Sequence, residues 1–174
     1  MAILKKEKIA RGFTFIELMV AIAIFLVVSG GIFTSFNAGI AIWENTNAFV
    51  DTATEARRAV DKAAWDLRQT NAGQIGGVPA DGNWYNGITF RIPNSITSNG
   101  IVVWSANIAY NVGGLNNAQL LRSNQVVANN ILSIRFRRSA VTPNIIDINV
   151  QSQKNTVRGY TVSAQASAQV RLRN

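Results

Sequence analysis

Few residues in this sequence are of the types that carry out chemistry in proteins. The chain has no histidine and no cysteine, which excludes a Ser-His-Asp triad, a thiol nucleophile, a Cys/His zinc site and a disulfide. Of its nine acidic residues, only Asp81 and Asp147 follow Asp66, so paired-carboxylate hydrolysis and a calcium site are both disfavoured. The glycines of residues 73–77 precede no lysine and no helix start, unlike a phosphate-binding loop. The sequence therefore predicts a protein that is not an enzyme and that has no cofactor and no metal site.

Arginine side chains are the other groups that could form a site in this basic chain, whose formal net charge is +8. If the strands that carry them lie in one sheet, their outward faces could form a positive patch for nucleic-acid phosphates. Phe136 alternates with Leu132 and Ile134, which places its ring on the core side, where bases cannot stack on it. A solvated sheet face or a subunit contact is therefore the favoured interpretation of the patch, and nucleic acid is the less favoured partner. The residues of this predicted basic patch are Arg135, Arg137, Arg138, Arg171 and Arg173.

One acidic residue, Glu17, lies at the start of an apolar run. The run from Leu18 to Phe36 has about 19 residues, close to the roughly 20 that span a bilayer as a helix. A carboxylate in such a helix is costly and normally has a partner or a function. The small residue next to the preceding basic cluster, on the side of the apolar run, is Gly12, so a cut between Gly12 and Phe13 would remove the charges and keep the apolar run. It would also create an α-amino group that could pair with Glu17.

These residues resemble the class III signal of type IV pilins and type II secretion pseudopilins. The resemblance rests on the stretch from Gly12 to Leu18, on the lysines and arginine before it, and on the apolar run after it. It implies that a prepilin peptidase cuts after Gly12, that Phe13 becomes N-methylated, and that Glu17 sets the register of each subunit in a helical filament. The alternative is a plain membrane anchor with a chance glycine and an incidental acid.

A helical pattern continues beyond the apolar run. The predicted apolar stripe includes Ile42, Phe49, Ala56 and Leu67, and charged residues fill the positions between its members. Lys62 and Asp66 are four residues apart, as expected for a pair on a solvated helix face. The glycines after Asn71 end the predicted helix, and Gly30, Gly31 and Gly39 are its predicted points of flexibility.

After residue 80 the apolar period changes to two, which is typical of β-strands. The predicted strands occupy residues 86–92, 100–112, 118–123, 125–137, 144–151 and 158–174. In the last of them Tyr160, Val162 and alternate residues up to Leu172 point to one side. The predicted fold class is α+β, a long helix packed on an antiparallel β domain, which is also the pilin-like fold. The predicted domains are a leader peptide (1–12), a transmembrane and assembly helix (13–36), an amphipathic helical continuation (37–72) and a globular β domain (73–174).

The resemblance also implies a function and a location. The strand order is most similar to that of minor pseudopilins of the J class or related minor pilins, which predicts a structural subunit of a type IV pilus or a type II secretion pseudopilus. Its implied partners are the prepilin peptidase/N-methyltransferase, other pilin or pseudopilin subunits, the inner-membrane assembly platform, and lipid before assembly. The basic leader predicts a single pass through the cytoplasmic membrane with the C-terminal domain outside. An anchored minor pilin that binds DNA during uptake or competence is the alternative function.

Overall fold

The computed structural model describes residues 12–173. Residues 1–11, which contain the basic part of the predicted leader peptide, lie outside the described residues. One long helix, α1, extends from Phe15 to Leu67, 53 residues in all. The chain divides into two compact units: the N-terminal unit ends at Trp43, and the C-terminal unit begins at Glu44.

In the N-terminal unit, α1 includes all three glycines of the apolar run and its flank. A methyl group added at Gly30, Gly31 or Gly39 would meet nothing within 4 Å, so no contact in this unit requires a glycine there. Polar side chains bond to the backbone one turn back: Thr34 Oγ1 donates to the carbonyl of Gly31 at 2.9 Å. Such internal bonds suit a helix in lipid, where the surroundings provide no partner for a polar group. That the helix bends at these glycines stays a prediction.

Between the helix and residue 173, the structure describes eleven strands, and each pairs with its neighbours in antiparallel fashion. The strands are β1 (Ile75–Gly76), β2 (Trp84–Tyr85), β3 (Ile88–Phe90), β4 (Pro93–Ile96), β5 (Val102–Trp104), β6 (Ile108–Gly113), β7 (Gln119–Arg122), β8 (Gln125–Asn129), β9 (Ile131–Arg138), β10 (Ile145–Asn155) and β11 (Thr161–Arg171). Five of them form a sheet in the order β1–β3–β6–β7–β8, four form a second sheet in the order β11–β10–β9–β2, and β4 and β5 form a hairpin. The fold is therefore α+β with a pilin-like order of elements.

The C-terminal half of α1 and the two larger sheets share one apolar core. Helix residues Ala56, Ala59 and Ala63 are fully buried, and their small side chains let the helix backbone approach its neighbours closely. Phe136 in β9 is also fully buried, which confirms its predicted position on the core side. Leu132, which alternation places on the same side, is 52% exposed, because the register of β9 shifts at this residue. Each sheet therefore buries one face and leaves the other to solvent, as is common for antiparallel sheets.

The buried face of α1 agrees with the predicted stripe only in its C-terminal part. Val60 and Leu67 are buried as predicted, but Phe49 keeps 52% of its surface exposed, and Ala48 and Thr52 are buried instead. Apolar spacing gave the wrong face here because small residues, rather than the largest apolar ones, make the contact. Ser152 Oγ donates to the carbonyl of Thr52 at 2.8 Å, a contact that only a close approach allows.

Asp66 corrects the prediction that it belongs to a solvated face. Its predicted ion pair with Lys62 is present, with Nζ and Oδ1 3.2 Å apart, but the Asp66 side chain has no exposed surface. Its Oδ2 accepts hydrogen bonds from Tyr110 Oη at 2.8 Å and from Arg122 Nε at 2.5 Å. We call these four side chains the Asp66 network. It joins α1 to β6 and β7, and its opposite charges offset much of the cost of burying the carboxylate.

The Asp66 network predicts how stability depends on alkaline pH. Burial, and then the neighbouring Asp66 charge, raise the pKa of Tyr110 above its ordinary value, because an ionised phenol would be desolvated beside a carboxylate. The folded state therefore binds the phenol proton more tightly than the unfolded state does. This contribution to stability is complete below the unfolded pKa of about 10 and is lost as the pH rises above it.

We accordingly expect the free energy of unfolding to fall more steeply above about pH 10 in the wild type than in Tyr110→Phe. Urea titrations of the full chain in detergent between neutral pH and alkaline pH measure this difference. Parallel pH profiles for the two proteins would show that the phenol proton of Tyr110 is not coupled to folding.

Two of the predicted strands are each divided in two. Residues 100–112 give β5 and β6, and residues 125–137 give β8 and β9, which lie in different sheets. Asn130 separates β8 from β9 with a positive φ of 58°, a conformation that interrupts an extended strand and that asparagine adopts more readily than most residues. In β11 the predicted alternation is confirmed from Val162 to Val170, whereas Tyr160 precedes the strand and is exposed.

Candidate processing and assembly site

The first turn of α1 is closed by two side chains of the predicted signal. Glu17 Oε2 accepts hydrogen bonds from the backbone N–H of Thr14 at 2.8 Å and from Thr14 Oγ1 at 2.9 Å. The backbone N–H of Glu17 points back to Thr14 Oγ1 at 3.4 Å. This reciprocal arrangement is a capping box, which satisfies backbone donors that a helix start leaves without partners. It lies entirely after the predicted cleavage site, so a cut after Gly12 leaves it intact.

The capping box gives Glu17 a second role beside its predicted one. A threonine followed three residues later by a glutamate, just before an apolar run, is a sequence signature of a helix start. The spacing of Thr14 and Glu17 therefore indicates this cap, in addition to the role predicted from the charge of Glu17. The carboxylate is exposed within the N-terminal unit, and so it can cap its own helix while it still faces a second partner.

Gly12 and Phe13 precede the helix and are both exposed. A methyl group added at Gly12 would meet nothing within 4 Å, and Phe13 keeps 91% of its surface accessible. The bond between them thus lies in non-helical chain next to the helix start. A peptidase needs this accessibility, because it must hold the backbone on both sides of the bond that it cuts.

Within residues 12–43, the described part of the N-terminal unit, the apolar side chains are not covered by one another. Phe25, Leu26 and Phe33 keep between 64% and 68% of their surfaces exposed. The helix contains an 18-residue window of mean hydropathy 2.5 with none of its residues buried, so it is long and apolar enough to cross a membrane. Apolar surface of this extent on all sides of a helix is typical of a membrane span.

Comparison with protein families identifies a known motif near the start of the chain. Residues 8–33 match the family model described as the prokaryotic N-terminal methylation motif. The chain fits a type IV pilin-like protein. The match is limited to these residues, and the long N-terminal apolar helix and the C-terminal antiparallel β domain agree with the same description. No curated protein and no solved structure matches the chain.

The predicted basic patch is distributed over several environments. Arg137 lies on the outer face of the four-stranded sheet, where its Nε and Nη2 donate to Asp147 Oδ2 at 3.0 and 2.7 Å. Its guanidinium carbon also lies 4.8 Å from the centre of the Trp84 ring. Partial burial alone would raise the pKa of Asp147, but hydrogen bonds from Gln169 and Arg137 outweigh it and hold that pKa below its usual range. The charge of Arg137 is therefore largely compensated on the protein itself.

Among the other arginines of the patch, Arg138 is turned away from the outer face that carries Arg137, whereas Arg135 and Arg171 lie on that face. Arg138 donates through Nε to the carbonyl of Pro143 at 2.5 Å and through Nη2 to that of Ala72 at 3.0 Å. Arg135 is exposed in β9, and Arg171 is exposed in β11 opposite Ile145. Arg173 forms an isolated bridge with Asn71 beyond the end of β11. Alternation along β9 separates Arg138 from its neighbour Arg137, so Arg138 does not share the face on which Arg135 and Arg137 lie.

Proposed function

We propose that this chain is a minor structural subunit of a type IV pilus or a type II secretion pseudopilus. A prepilin peptidase cuts it between Gly12 and Phe13, and the new N-terminus is methylated on Phe13. The observation that carries the proposal is the matched methylation motif at the start of a helix whose apolar side chains are uncovered. The absence of cysteine and the strand pattern support a minor subunit of the J class or a related type.

The proposed mechanism is noncovalent and depends on the apolar helix. Before assembly the helix spans the cytoplasmic membrane once, with the C-terminal domain outside. The assembly platform then moves the helix from lipid into a bundle of similar helices, where Glu17 pairs with the N-terminal amine of a neighbouring subunit. Charge neutralisation between subunits removes the cost of holding the carboxylate in an apolar bundle.

The DNA-uptake alternative has weaker support from the arrangement of arginines. Phosphate binding depends on several cations that face one side together. Arg137 is paired with Asp147, and Arg138 donates to backbone carbonyls. We therefore favour the structural role, with a subunit contact or a solvated surface for the arginines that remain exposed.

The mass of the N-terminal peptide tests the proposal. Protein extracted from membranes of cells with an active prepilin peptidase is expected to begin at N-methylated Phe13, because the motif and the exposed Gly12–Phe13 bond both present that site. The same protein from cells without the peptidase serves as the control and should keep its leader. A chain that begins at Met1 or Ala2 in the presence of the active enzyme would exclude processing.

A further inference from the structure

A pocket of about 230 Å³ lies where the five-stranded and four-stranded sheets meet. It is bordered by the 3-10 helix that precedes β7, by the turn between β8 and β9, and by the end of β10. Five of its eight lining residues carry side-chain carboxamides, and none of the eight is charged. The lining consists of Asn116, Asn117, Ala118, Asn130, Ile131, Leu132, Gln153 and Asn155; we call it the amide pocket.

The chemistry of the lining restricts the ligand class. Each carboxamide presents two N–H donors and an oxygen that can accept two hydrogen bonds. A metal cation such as calcium would need carboxylates, and phosphate would need cations or a helix N-terminus. Sugar hydroxyl groups both donate and accept, which matches a group of carboxamides. The half-exposed side chain of Leu132 adds an apolar surface for the C–H face of a ring.

The backbone around the amide pocket is fixed by bonds between the sheets. The N–H of Ile131 donates to the carbonyl of Ala118 at 3.0 Å, and the N–H of Gln153 donates to that of Asn130 at 2.8 Å. Asn155 Oδ1 accepts a hydrogen bond from Thr161 Oγ1 at 2.9 Å. The side-chain N–H groups of Asn155 are therefore free to turn toward a ligand. A lining whose backbone is already ordered loses less entropy when it binds.

Three of the asparagines that line the amide pocket have a left-handed backbone conformation. Asn116, Asn117 and Asn130 have φ angles of 55°, 53° and 58°, in the left-handed region that is costly for most residues with side chains. Glycine would relieve this cost at each position, yet asparagine is present at all three. Asn124 also has a positive φ, of 71°, but it lies in the turn between β7 and β8 and does not line the pocket.

We propose that the amide pocket binds an uncharged saccharide. Its volume is below the roughly 300 Å³ at which pockets for drug-sized ligands begin, so it holds a single sugar unit or the terminal unit of a longer glycan. The carboxamides bond to the hydroxyl groups, and Leu132 contacts the ring. This binding is independent of processing and assembly, because every residue involved belongs to the C-terminal unit.

The test uses the full chain in dodecylphosphocholine micelles, since a maltoside detergent would itself supply sugar groups. Glucose, galactose, N-acetylglucosamine, N-acetylgalactosamine and maltose are each titrated to about 50 mM, well above the millimolar Kd expected for a small neutral ligand. Saturation-transfer NMR detects the bound sugar, and side-chain amide signals report the site. Asn116→Gly and Asn130→Gly remove pocket carboxamides without backbone strain, and Asn124→Gly is the matched control.

We expect saturable binding of at least one of these sugars, with Kd raised about fivefold or more by either pocket variant, the effect of about one lost hydrogen bond. The Asn124→Gly control should bind as the wild type does. Three results would each overturn the proposal: no saturable binding of any sugar, equal affinity in the pocket variants and the control, or tighter binding of glucuronate than of glucose, which would show that the ligand is an anion.

Discussion

Replacing Asp66 with asparagine is expected to lower the free energy of unfolding by about 3 kcal/mol. Asparagine is nearly the same size and can still accept the hydrogen bond from Tyr110, so the packing changes little. The loss comes from Arg122, which would keep its charge with only 23% of its side chain exposed and with no carboxylate to face it. Breaking one side of a buried ion pair costs about 3 to 5 kcal/mol, and the partial exposure of Arg122 favours the lower end.

The measurement is a urea titration of the full chain in detergent, followed by tryptophan fluorescence. Asp61→Asn is the matched control, because Asp61 lies on the same helix, carries the same charge and is exposed. We expect that control to stay within about 0.5 kcal/mol of the wild type. Equal effects of the two substitutions would mean that the Asp66 network does not stabilise the attachment of α1 to the sheets.

The comparison of Asp66 with Glu17 shows what the sequence could predict. The partners of Glu17 lie within one helical turn, and so the spacing of Thr14 and Glu17 contains the whole arrangement. Asp66 also has a local partner at the expected spacing, Lys62, and that pair was predicted. Its decisive partners come from β6 and β7, 44 and 56 residues further along the chain. Local spacing cannot indicate which surface position such distant strands will cover.

The strands also show that local sequence patterns predict local structure but not distant contacts. Alternation of apolar and polar residues predicted which side of β11, and of β9 from Ile134 onward, faces the core, because a period of two is a property of the strand itself. It was wrong for Leu132, which is exposed where the register of β9 shifts. It did not predict that residues 125–137 divide between two sheets, since that depends on the single left-handed residue Asn130. The predicted basic patch has a related difficulty: Arg137 and Arg138 are adjacent in sequence, but their partners lie on different elements.

Glu17→Gln is expected to reduce filament assembly strongly while it preserves the helix start, and this prediction rests on the proposed function. Glutamine at this position of a capping box can still accept the N–H of Thr14, so the first turn of α1 remains closed. What the substitution removes is the negative charge that pairs with a neighbouring N-terminal amine. We expect at least about tenfold less subunit in filaments, equal to about 1.4 kcal/mol or more per contact, with membrane insertion and cleavage unchanged.

The contrast among three variants separates the charge of Glu17 from its capping role. Thr14→Ser keeps both the hydroxyl and the charge and should assemble as the wild type does, whereas Thr14→Ala keeps the charge and loses the side-chain part of the cap. The subunit content of sheared filaments, relative to processed subunit in the membrane, measures assembly for each. If Glu17→Gln assembles normally and Thr14→Ala does not, the acid acts by closing its own helix. If Glu17→Gln fails while Thr14→Ala assembles, the carboxylate is needed for the next subunit, as its exposure in the first turn of α1 leads us to expect.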